Sequence, residues 1–234
     1  MTVDERDLVV ELLTSMKKFF KFKELEKLID LTSPTIWRYV HGEVKPSAER
    51  ARVLLTKLLD RAILEKLREK FVEFDVEGFA KTYELVYNID LLNIASIDAY
   101  IWSQNLGVNC VATVEVDGIA LATLTARRLN SKLVVIKKRK EVGYQKFYEV
   151  SYVTSSPPEV VTLYLPSGII EYGEKVLVVD DVVRSGRTSA AVFELIKKAG
   201  GRPVGFYALL AIGNSWKQVI EKYVGNNYKA FFQV

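Results

Sequence analysis

Two adjacent carboxylates and the polar loop after them are the residues of this sequence best suited to chemistry. The apolar run KVLVVD, residues 175–180, ends on Asp180 and Asp181, and a loop with one glycine leads from there into a helical run. Backbone N–H groups of such a loop, together with the positive end of the helix dipole, can bind a phosphate group. The carboxylates can accept hydrogen bonds from two vicinal hydroxyls, so the pattern predicts a sugar-phosphate site. The predicted ligand-binding residues of this stretch are Asp180, Asp181, Arg184, Ser185, Gly186, Arg187, Thr188 and Ser189.

The elements that must position these residues alternate between strand-like and helical patterns from about residue 73 onwards. Continuous apolar strands that alternate with helices are typical of a parallel α/β sheet with both faces covered. In such a sheet, ligands bind beyond the carboxyl ends of the strands, which is where the acidic pair falls. The predicted strands are 108–116, 132–138, 159–166, 175–180 and 202–212, and the predicted helices between them are 118–130 and 188–200.

The chain before about residue 73 has a helical pattern throughout. Ser33 is predicted as the N-cap of a short helix, with Pro34 as its first residue and Gly42 at its end. A preceding helix over residues 23–29 makes this pair a predicted helix-turn-helix. A longer helix is expected to start near Ser47 and to reach about residue 67.

The totals of the chain allow two small domains and exclude several kinds of site. It has 234 residues, 49% of them hydrophobic, and a formal net charge of +4. We place an all-α domain at residues 1–72 and the α/β domain at residues 73–234. His41 is the only histidine of the sequence, and we take this to exclude a Ser-His-Asp triad and a histidine-dependent metal site. Cys110 is the only cysteine, which excludes an internal disulfide. No apolar run is long enough to span a bilayer, and we expect a cytoplasmic protein that needs no metal or cofactor.

The predicted helix-turn-helix carries an excess of positive charge. Residues 17–57 include ten Lys or Arg and five Asp or Glu, whereas the flanking segments are net acidic. A basic block in an otherwise balanced chain indicates a polyanion partner, and outward side chains of the second helix could contact operator DNA. The alternative is a small helical unit that serves oligomerisation. The predicted DNA-contacting residues are Lys21, Lys23, Ser33, Thr35, Trp37, Arg38 and Lys45.

Two segments resemble known families. VLVVDDVVRSGRTS, residues 176–189, resembles the phosphoribosyl-pyrophosphate signature of type I phosphoribosyltransferases, which joins two acidic residues to a glycine-containing hydroxyl loop. LTSPTIWRYVHG, residues 31–42, resembles the helix-turn-helix of small prokaryotic repressors. Together they are similar to purine repressors of the PurR type and, more closely, to archaeal sugar-catabolism regulators of the GfcR type. The resemblance implies a type I phosphoribosyltransferase-like fold behind a DNA-binding domain.

A third segment resembles the transferases less closely. VVIKKRKEVG, residues 134–143, is similar to the basic run of orotate- and adenine-type transferases, and the resemblance places Lys137 and Lys140 on its basic positions as ligand-binding residues. It departs from that run at Ile136, where the enzymes carry arginine, and at Val142, where orotate transferases carry histidine.

Two hypotheses follow, and the phosphate loop is common to both. Glu115 and Asp117 put negative charge where the resemblance places pyrophosphate, and Coulomb repulsion disfavours that ligand. We therefore favour a homodimeric DNA-binding regulator without transferase activity. The resemblance implies that it senses a phosphorylated metabolite: phosphoribosyl pyrophosphate if it is like the purine repressors, or a phosphorylated sugar acid if it is like the sugar-catabolism regulators. The alternative is an active transferase of orotate type with an appended helical domain. In that case the resemblance implies Lys140 as the catalytic cation, Mg²⁺, a flexible segment at residues 143–158, and a base-binding hood from residues 79–105 or 213–230.

Overall fold

The chain folds into two compact units, one up to Asp98 and one from Ala99 to Val234. The computed structural model describes residues 3–154 and 158–234. The division between the units falls inside the helix Ile89–Ser103. The boundary expected between residues 72 and 73 is a different division of the chain, and it stays a prediction.

The first unit is helical. Apolar residues that recur at helical spacing are fully buried in it, among them Leu8, Leu12, Leu25 and Ile36. None of the helices in the described part of the chain combines the length and the apolar character needed to cross a membrane. Its helices are α1 (Glu5–Met16), α2 (Phe22–Ile29), α3 (Ser33–Val40), α4 (Ala48–Leu58), α5 (Arg61–Phe71), α6 (Tyr83–Val86) and the beginning of α7 (Ile89–Ser103).

Capping residues set the ends of these helices, and they correct two expectations. The Asp60 side chain accepts a hydrogen bond from the Ala62 N–H and begins α5. The expected continuous helix from Ser47 to about residue 67 is therefore wrong, because α4 and α5 are separate. Thr32, not Ser33, is the N-cap of α3, and Ser33 is its first helical residue.

The second unit is an α/β unit whose five-stranded sheet is parallel throughout, with the strand order β2-β1-β5-β6-β7. The parallel sheet expected from the alternating pattern is confirmed, but the predicted strand 159–166 is not part of it, because Val160–Pro166 pairs with Phe147–Val153 in a separate two-stranded sheet. Its elements are β1 (Cys110–Val114), α8 (Ile119–Leu129), β2 (Lys132–Ile136), β3 (Phe147–Val153), β4 (Val160–Pro166), β5 (Lys175–Val183), α9 (Arg187–Lys198), β6 (Arg202–Ala211), α10 (Ser215–Val224) and β7 (Tyr228–Gln233).

The strand β5 is the centre of this sheet. It pairs with β1, where Cys110 faces Val176, and with β6, where Val178 faces Phe206. Residues 176–179 are all buried, as expected for a strand with a neighbour on each side and helices on both faces. The strand that carries the acidic pair is therefore held firmly on both edges.

A two-stranded antiparallel hairpin, β3–β4, lies outside the main sheet. The hydroxyls of Ser151 and Thr162 meet across it at 2.8 Å. Residues 147–153 of the segment expected to be flexible, residues 143–158, form β3, and the expected flexibility stays a prediction. Residues 155–157 of that segment lie outside the described residues.

Candidate functional site

The acidic pair lies within the central strand. β5 continues to Val183, so the expected strand end at Asp180 is too early. Asp180 and Asp181 are half-buried, and the backbone N–H of Asp181 donates a hydrogen bond of 3.1 Å to the Asp180 carboxylate. The pair thus sits on a rigid element close to the carboxyl edge of the sheet, where open α/β sheets bind ligands.

The loop after β1 approaches this pair closely at Gly118. A Cβ atom at Gly118 would lie 3.5 Å from the backbone nitrogen of Asp181 and 2.5 Å from Oγ1 of Thr113. Glycine is therefore required for the loop to reach the acidic pair. Gly118 was not among the predicted site residues, although a glycine between a strand and a helix is a signal of such a close approach.

The same loop is tied to the end of β2. The Glu115 carboxylate accepts a hydrogen bond of 2.7 Å from the Lys138 N–H, and the Glu115 N–H donates one of 3.0 Å to the Ile136 carbonyl. The peptide bond between Glu115 and Val116 is cis. The Glu115 carboxylate thus links two loops through a backbone hydrogen bond. Its charge is therefore less available to repel a ligand.

The ionisation of Asp180 is opposed by its surroundings. Burial raises its pKa well above the ordinary value, and the neighbouring charge of Asp181 raises it further. The positive charge of Lys138 acts in the opposite direction. Asp180 can therefore retain a proton where an exposed aspartate would be ionised, and a protonated carboxyl group can donate a hydrogen bond as well as accept one.

The glycine-containing loop leads from β5 into α9. Gly186 is the N-cap of α9 and has a φ of 73°, in the left-handed region that favours glycine. Its position is also crowded, since a Cβ atom there would lie 3.1 Å from Cβ of Val219. The Ser215 hydroxyl donates to the Arg184 carbonyl at 3.0 Å and holds the start of the loop. The first N–H groups of α9 have no partner within the helix, so the loop has the geometry of an anion site.

Three residues of α9 hold the hairpin. The Arg187 guanidinium donates to the Val153 carbonyl at 3.3 Å, and the Thr188 hydroxyl donates to the Tyr152 hydroxyl at 3.1 Å. The Lys198 ammonium donates to the Glu149 carbonyl at 3.0 Å. Tyr152 was not among the predicted site residues, because no local motif marks it.

The basic tract after β2 is engaged with acidic partners. Lys137 pairs with Glu141, and Lys140 pairs with Glu149 at 2.6 Å. The hydrogen bond from Lys140 to Glu149 raises the pKa of the Lys140 ammonium. Lys138, which was not among the predicted site residues, is the lysine of this tract whose charge acts on Asp180.

Ile136, which departs from the basic run of the transferases, is a core residue. Ile136 is 0% exposed and ends the buried part of β2. A side chain at that position points into the core, so its apolar character follows from packing and carries no information about the ligand.

The residues predicted to contact DNA make local contacts within the first unit. The Ser33 hydroxyl donates to the Glu26 carboxylate, and Arg38 and Glu43 form an ion pair of 3.4 Å. Lys45 pairs with Asp7 at 2.5 Å. Thr35 shares a hydrogen bond with Thr32, Trp37 stacks on His41, and Lys21 and Lys23 are exposed.

Comparison with known proteins finds a domain family and several named phosphoribosyltransferases that resemble this chain. The family model of the phosphoribosyl transferase domain matches residues 92–233. The adenine phosphoribosyltransferase of Petrotoga mobilis is 36% identical over 101 residues, which cover 43% of this chain and 57% of that protein. The xanthine phosphoribosyltransferase of Lactococcus lactis subsp. lactis is 33% identical over 102 residues, which cover 43% of this chain and 52% of that protein. The matched segment thus spans about half the length of these relatives.

A solved structure shows the same fold. The adenine phosphoribosyltransferase of Rhodothermus marinus superimposes with a TM-score of 0.63 at 22% identity and covers 74% of this chain and 100% of that one. The α/β unit, with its parallel sheet and the glycine-containing loop after the acidic strand, has the type I phosphoribosyltransferase fold. The chain belongs to the phosphoribosyl transferase domain family.

The comparisons correct the functional prediction. The expected DNA-binding regulator without transferase activity, with operator DNA as its partner, is wrong, because the relatives are adenine and xanthine phosphoribosyltransferases. The hypothesis that was ranked second, an active transferase, agrees with them better. Its orotate type does not, because these relatives are named for purine bases.

The alternative hypothesis of an active transferase implied that Mg²⁺ is needed. Within residues 3–154 and 158–234, no group of three or more His, Cys, Asp or Glu side chains could hold a metal ion.

Proposed function

We propose that the chain transfers a phosphoribosyl group from phosphoribosyl pyrophosphate to a purine base. The observation that carries this proposal is the meeting of the acidic pair, the Gly186 loop and the Gly118 loop at one edge of a type I sheet. The names of the relatives, adenine and xanthine phosphoribosyltransferases, support a purine as the acceptor.

The loop from Arg184 to Ser189 holds the 5-phosphate of the substrate in this proposal. The N–H groups at the start of α9 donate to the phosphate oxygens, and the helix dipole adds a favourable potential. Gly186 supports this role, because its left-handed conformation turns the chain sharply into the helix. The Arg187 side chain, which contacts Val153, contributes mainly by holding the hairpin beside the loop.

The acidic pair binds the two ribose hydroxyls. Asp181 accepts a hydrogen bond from one hydroxyl, and Asp180, with its raised pKa, can accept from or donate to the other. Both carboxyl groups lie on the buried central strand, so their positions are fixed before the substrate binds. Such preorganisation lowers the entropic cost of binding.

The chemical step breaks the bond between ribose C1 and a pyrophosphate oxygen and forms a bond between C1 and a ring nitrogen of the purine. That nitrogen loses its proton, which the departing pyrophosphate can accept. Pyrophosphate leaves with the electrons of the broken bond, so a nearby cation stabilises the transition state. We assign this role to Lys138, whose backbone bonds to the Gly118 loop and whose charge acts on Asp180. Lys137 and Lys140 can contribute only after they release Glu141 and Glu149.

We also propose that residues 1–72 form a helical domain appended to a transferase domain at residues 73–234. The helices α2 and α3 support a helix-turn-helix arrangement within it, since the short segment 30–32 joins them. We propose no ligand for this segment.

The test is release of pyrophosphate from phosphoribosyl pyrophosphate with adenine, xanthine, hypoxanthine or guanine, and with orotate as the comparison substrate. We expect turnover on the order of 1–100 per second with at least one purine, and none with orotate. The Asp181→Asn variant keeps the shape of the side chain and should lose at least about tenfold in kcat/KM, because a charge-assisted hydrogen bond to ribose is lost.

The control variant is Glu69→Gln, an exposed carboxylate on α5. It should leave turnover unchanged. A wild-type chain that binds phosphoribosyl pyrophosphate but releases pyrophosphate with none of these bases would overturn the proposed function.

A further inference from the structure

A second cavity of the α/β unit lies at the opposite edge of the sheet, where β5 and β6 begin and where α9 and α10 end. Its volume is about 590 Å³. Lys175 and Arg202, the first residues of the two strands, line it together with Lys197 of the last turn of α9. The proposed transferase site is at the carboxyl edge, so the two sites share elements but no residues.

The charged residues that line this cavity are all positive. Lys175, Lys197 and Arg202 line it, and among the described lining residues there is no Asp or Glu. None of the three cations forms an ion pair within the described part of the chain. The acidic neighbour Glu174 is engaged elsewhere, with Lys132 at 2.8 Å. Three positive charges that converge on a concave surface attract a polyanion.

Two of the cations are held in place by their contacts. The Lys197 ammonium lies over the Tyr223 ring at 4.5 Å from its centroid, and Tyr223 is itself stacked on Phe193 at 4.8 Å. The Lys175 ammonium lies against Gly107, where a Cβ atom would be 2.8 Å from it. Such contacts reduce the side-chain freedom that a ligand would otherwise have to restrict.

The negative end of α9 also faces this edge and disfavours an anion, but its carbonyls are satisfied locally. The Gly200 N–H donates to the Lys197 carbonyl at 3.0 Å, and the Gly201 N–H donates to the Ile196 carbonyl at 2.9 Å. A helix terminus carries roughly half an elementary charge. Three full cationic charges therefore outweigh the termini of α9 and α10.

We propose that this cavity is a second binding site, specific for a compound with two or more phosphate groups. Its volume exceeds what a single phosphate fills, and its three cations match a polyphosphate chain better than a singly charged ion. Asn105 and Asn227 also line it, and an asparagine side-chain amide is a neutral hydrogen-bond donor. The proposed transfer reaction does not use the residues of this cavity.

The test is hydrogen exchange of the whole protein, followed by mass spectrometry, with inorganic tripolyphosphate as the probe. We expect slower exchange in peptides that cover residues 197–204 and 222–228. The double variant Lys197→Gln, Arg202→Gln should bind this probe at least about tenfold more weakly by calorimetry, because each lost charge-assisted contact is worth roughly one such factor. The matched control Lys222→Gln removes an exposed charge of α10 that does not line the cavity and should bind as wild type does.

Two results would overturn the proposal. One is protection confined to residues 184–190, because all anion binding then belongs to the carboxyl edge of the sheet. The other is equal affinity of the wild type and the double variant for the probe. A parallel titration with ATP identifies the source of the phosphates: tighter binding of ATP than of tripolyphosphate supports a nucleotide, and equal binding supports recognition of the phosphates alone.

Discussion

Asp180 occupies a position where ionisation is opposed both by burial and by the adjacent Asp181. A carboxyl group whose pKa is raised by folding holds its proton more tightly in the folded chain than in the unfolded one. Its contribution to stability is fully present below the ordinary aspartate pKa, near pH 4, and is lost as the pH rises through the raised pKa. At neutral pH the unliganded site therefore costs stability, and hydrogen bonds from ribose hydroxyls would offset that cost.

The substitution Asp180→Asn removes this ionisation while it keeps the shape of the side chain. We expect the thermal midpoint at pH 7 to rise by a few degrees, and we expect the affinity for phosphoribosyl pyrophosphate to fall. The difference in midpoint should shrink as the pH is lowered and vanish below about pH 4, where the carboxyl group is protonated in both states. Thermal denaturation of both proteins between pH 3 and pH 8 is the measurement. A midpoint at pH 7 equal to or below that of the wild type would contradict this account of Asp180.

At the scale of elements, the start of α9 depends on a glycine for two separate reasons. Gly186 has a φ of 73°, and a Cβ atom there would lie 3.1 Å from Cβ of Val219 and 3.3 Å from the Trp216 carbonyl oxygen. Gly213 has a similar φ of 65° but open space around it. Substitutions at these two glycines therefore separate the free-energy cost of the left-handed conformation from the cost of steric crowding.

The pair Gly186→Ala and Gly213→Ala tests this separation. Alanine at Gly213 should lower the free energy of unfolding by about 1–2 kcal/mol, the cost of a left-handed residue. Alanine at Gly186 should lower it by roughly 1–3 kcal/mol more, because the added methyl group must displace α10. It should also weaken binding of the 5-phosphate. Urea unfolding of both variants measures the difference, and equal losses would show that the loop is not packed tightly against α10.

The elements were largely predictable from the sequence, and the contacts between them were not. The alternation of apolar strands with helices predicted the parallel sheet, since the central strands β1 and β5 are buried on both faces. The hairpin strand β3 was not predicted, because its one exposed face and its Tyr and Glu residues lack a continuous apolar run. Lys138 and Tyr152 belong to the candidate site only through partners distant in the chain, and no single-sequence pattern encodes such proximity.

The functional error had the same origin. Ile136, which stands where the transferases carry arginine, was interpreted as a loss of positive charge from the ligand site, whereas its side chain is part of the core. Glu115 was interpreted as a repulsive charge, whereas it accepts a backbone hydrogen bond from Lys138. Both interpretations assigned a side chain to the ligand when only its position in the chain was known.

At the scale of the whole molecule, the family match and the two units divide the chain differently. The match begins at residue 92, and the second unit begins at Ala99. The helix α7, Ile89–Ser103, contains both points. A transferase domain that begins at residue 73, as we propose, keeps α7 whole. The expected homodimer is tested by none of the comparisons and stays a prediction.

Two fragments test this division. We expect residues 73–234 to fold and to retain the pyrophosphate release of the full chain within about tenfold. We expect residues 99–234, in which α7 is cut after Asp98, to unfold at a lower temperature or to aggregate, because a helix this short is marginal in water. Circular dichroism and the pyrophosphate assay on both fragments and the full chain are the measurements. Activity of the shorter fragment equal to that of the longer one would place the domain boundary at Ala99.

The position of β5 between β1 and β6 also has a consequence for the order of folding. β1 and β5 are distant in the chain, and the segments between them include α8, β2 and the hairpin. Their pairing must close a long loop, and such non-local contacts form slowly compared with helices. The Gly118 loop meets the acidic pair only once this pairing is made. A refolding chain should therefore regain its helix content well before it regains any capacity to bind a sugar phosphate.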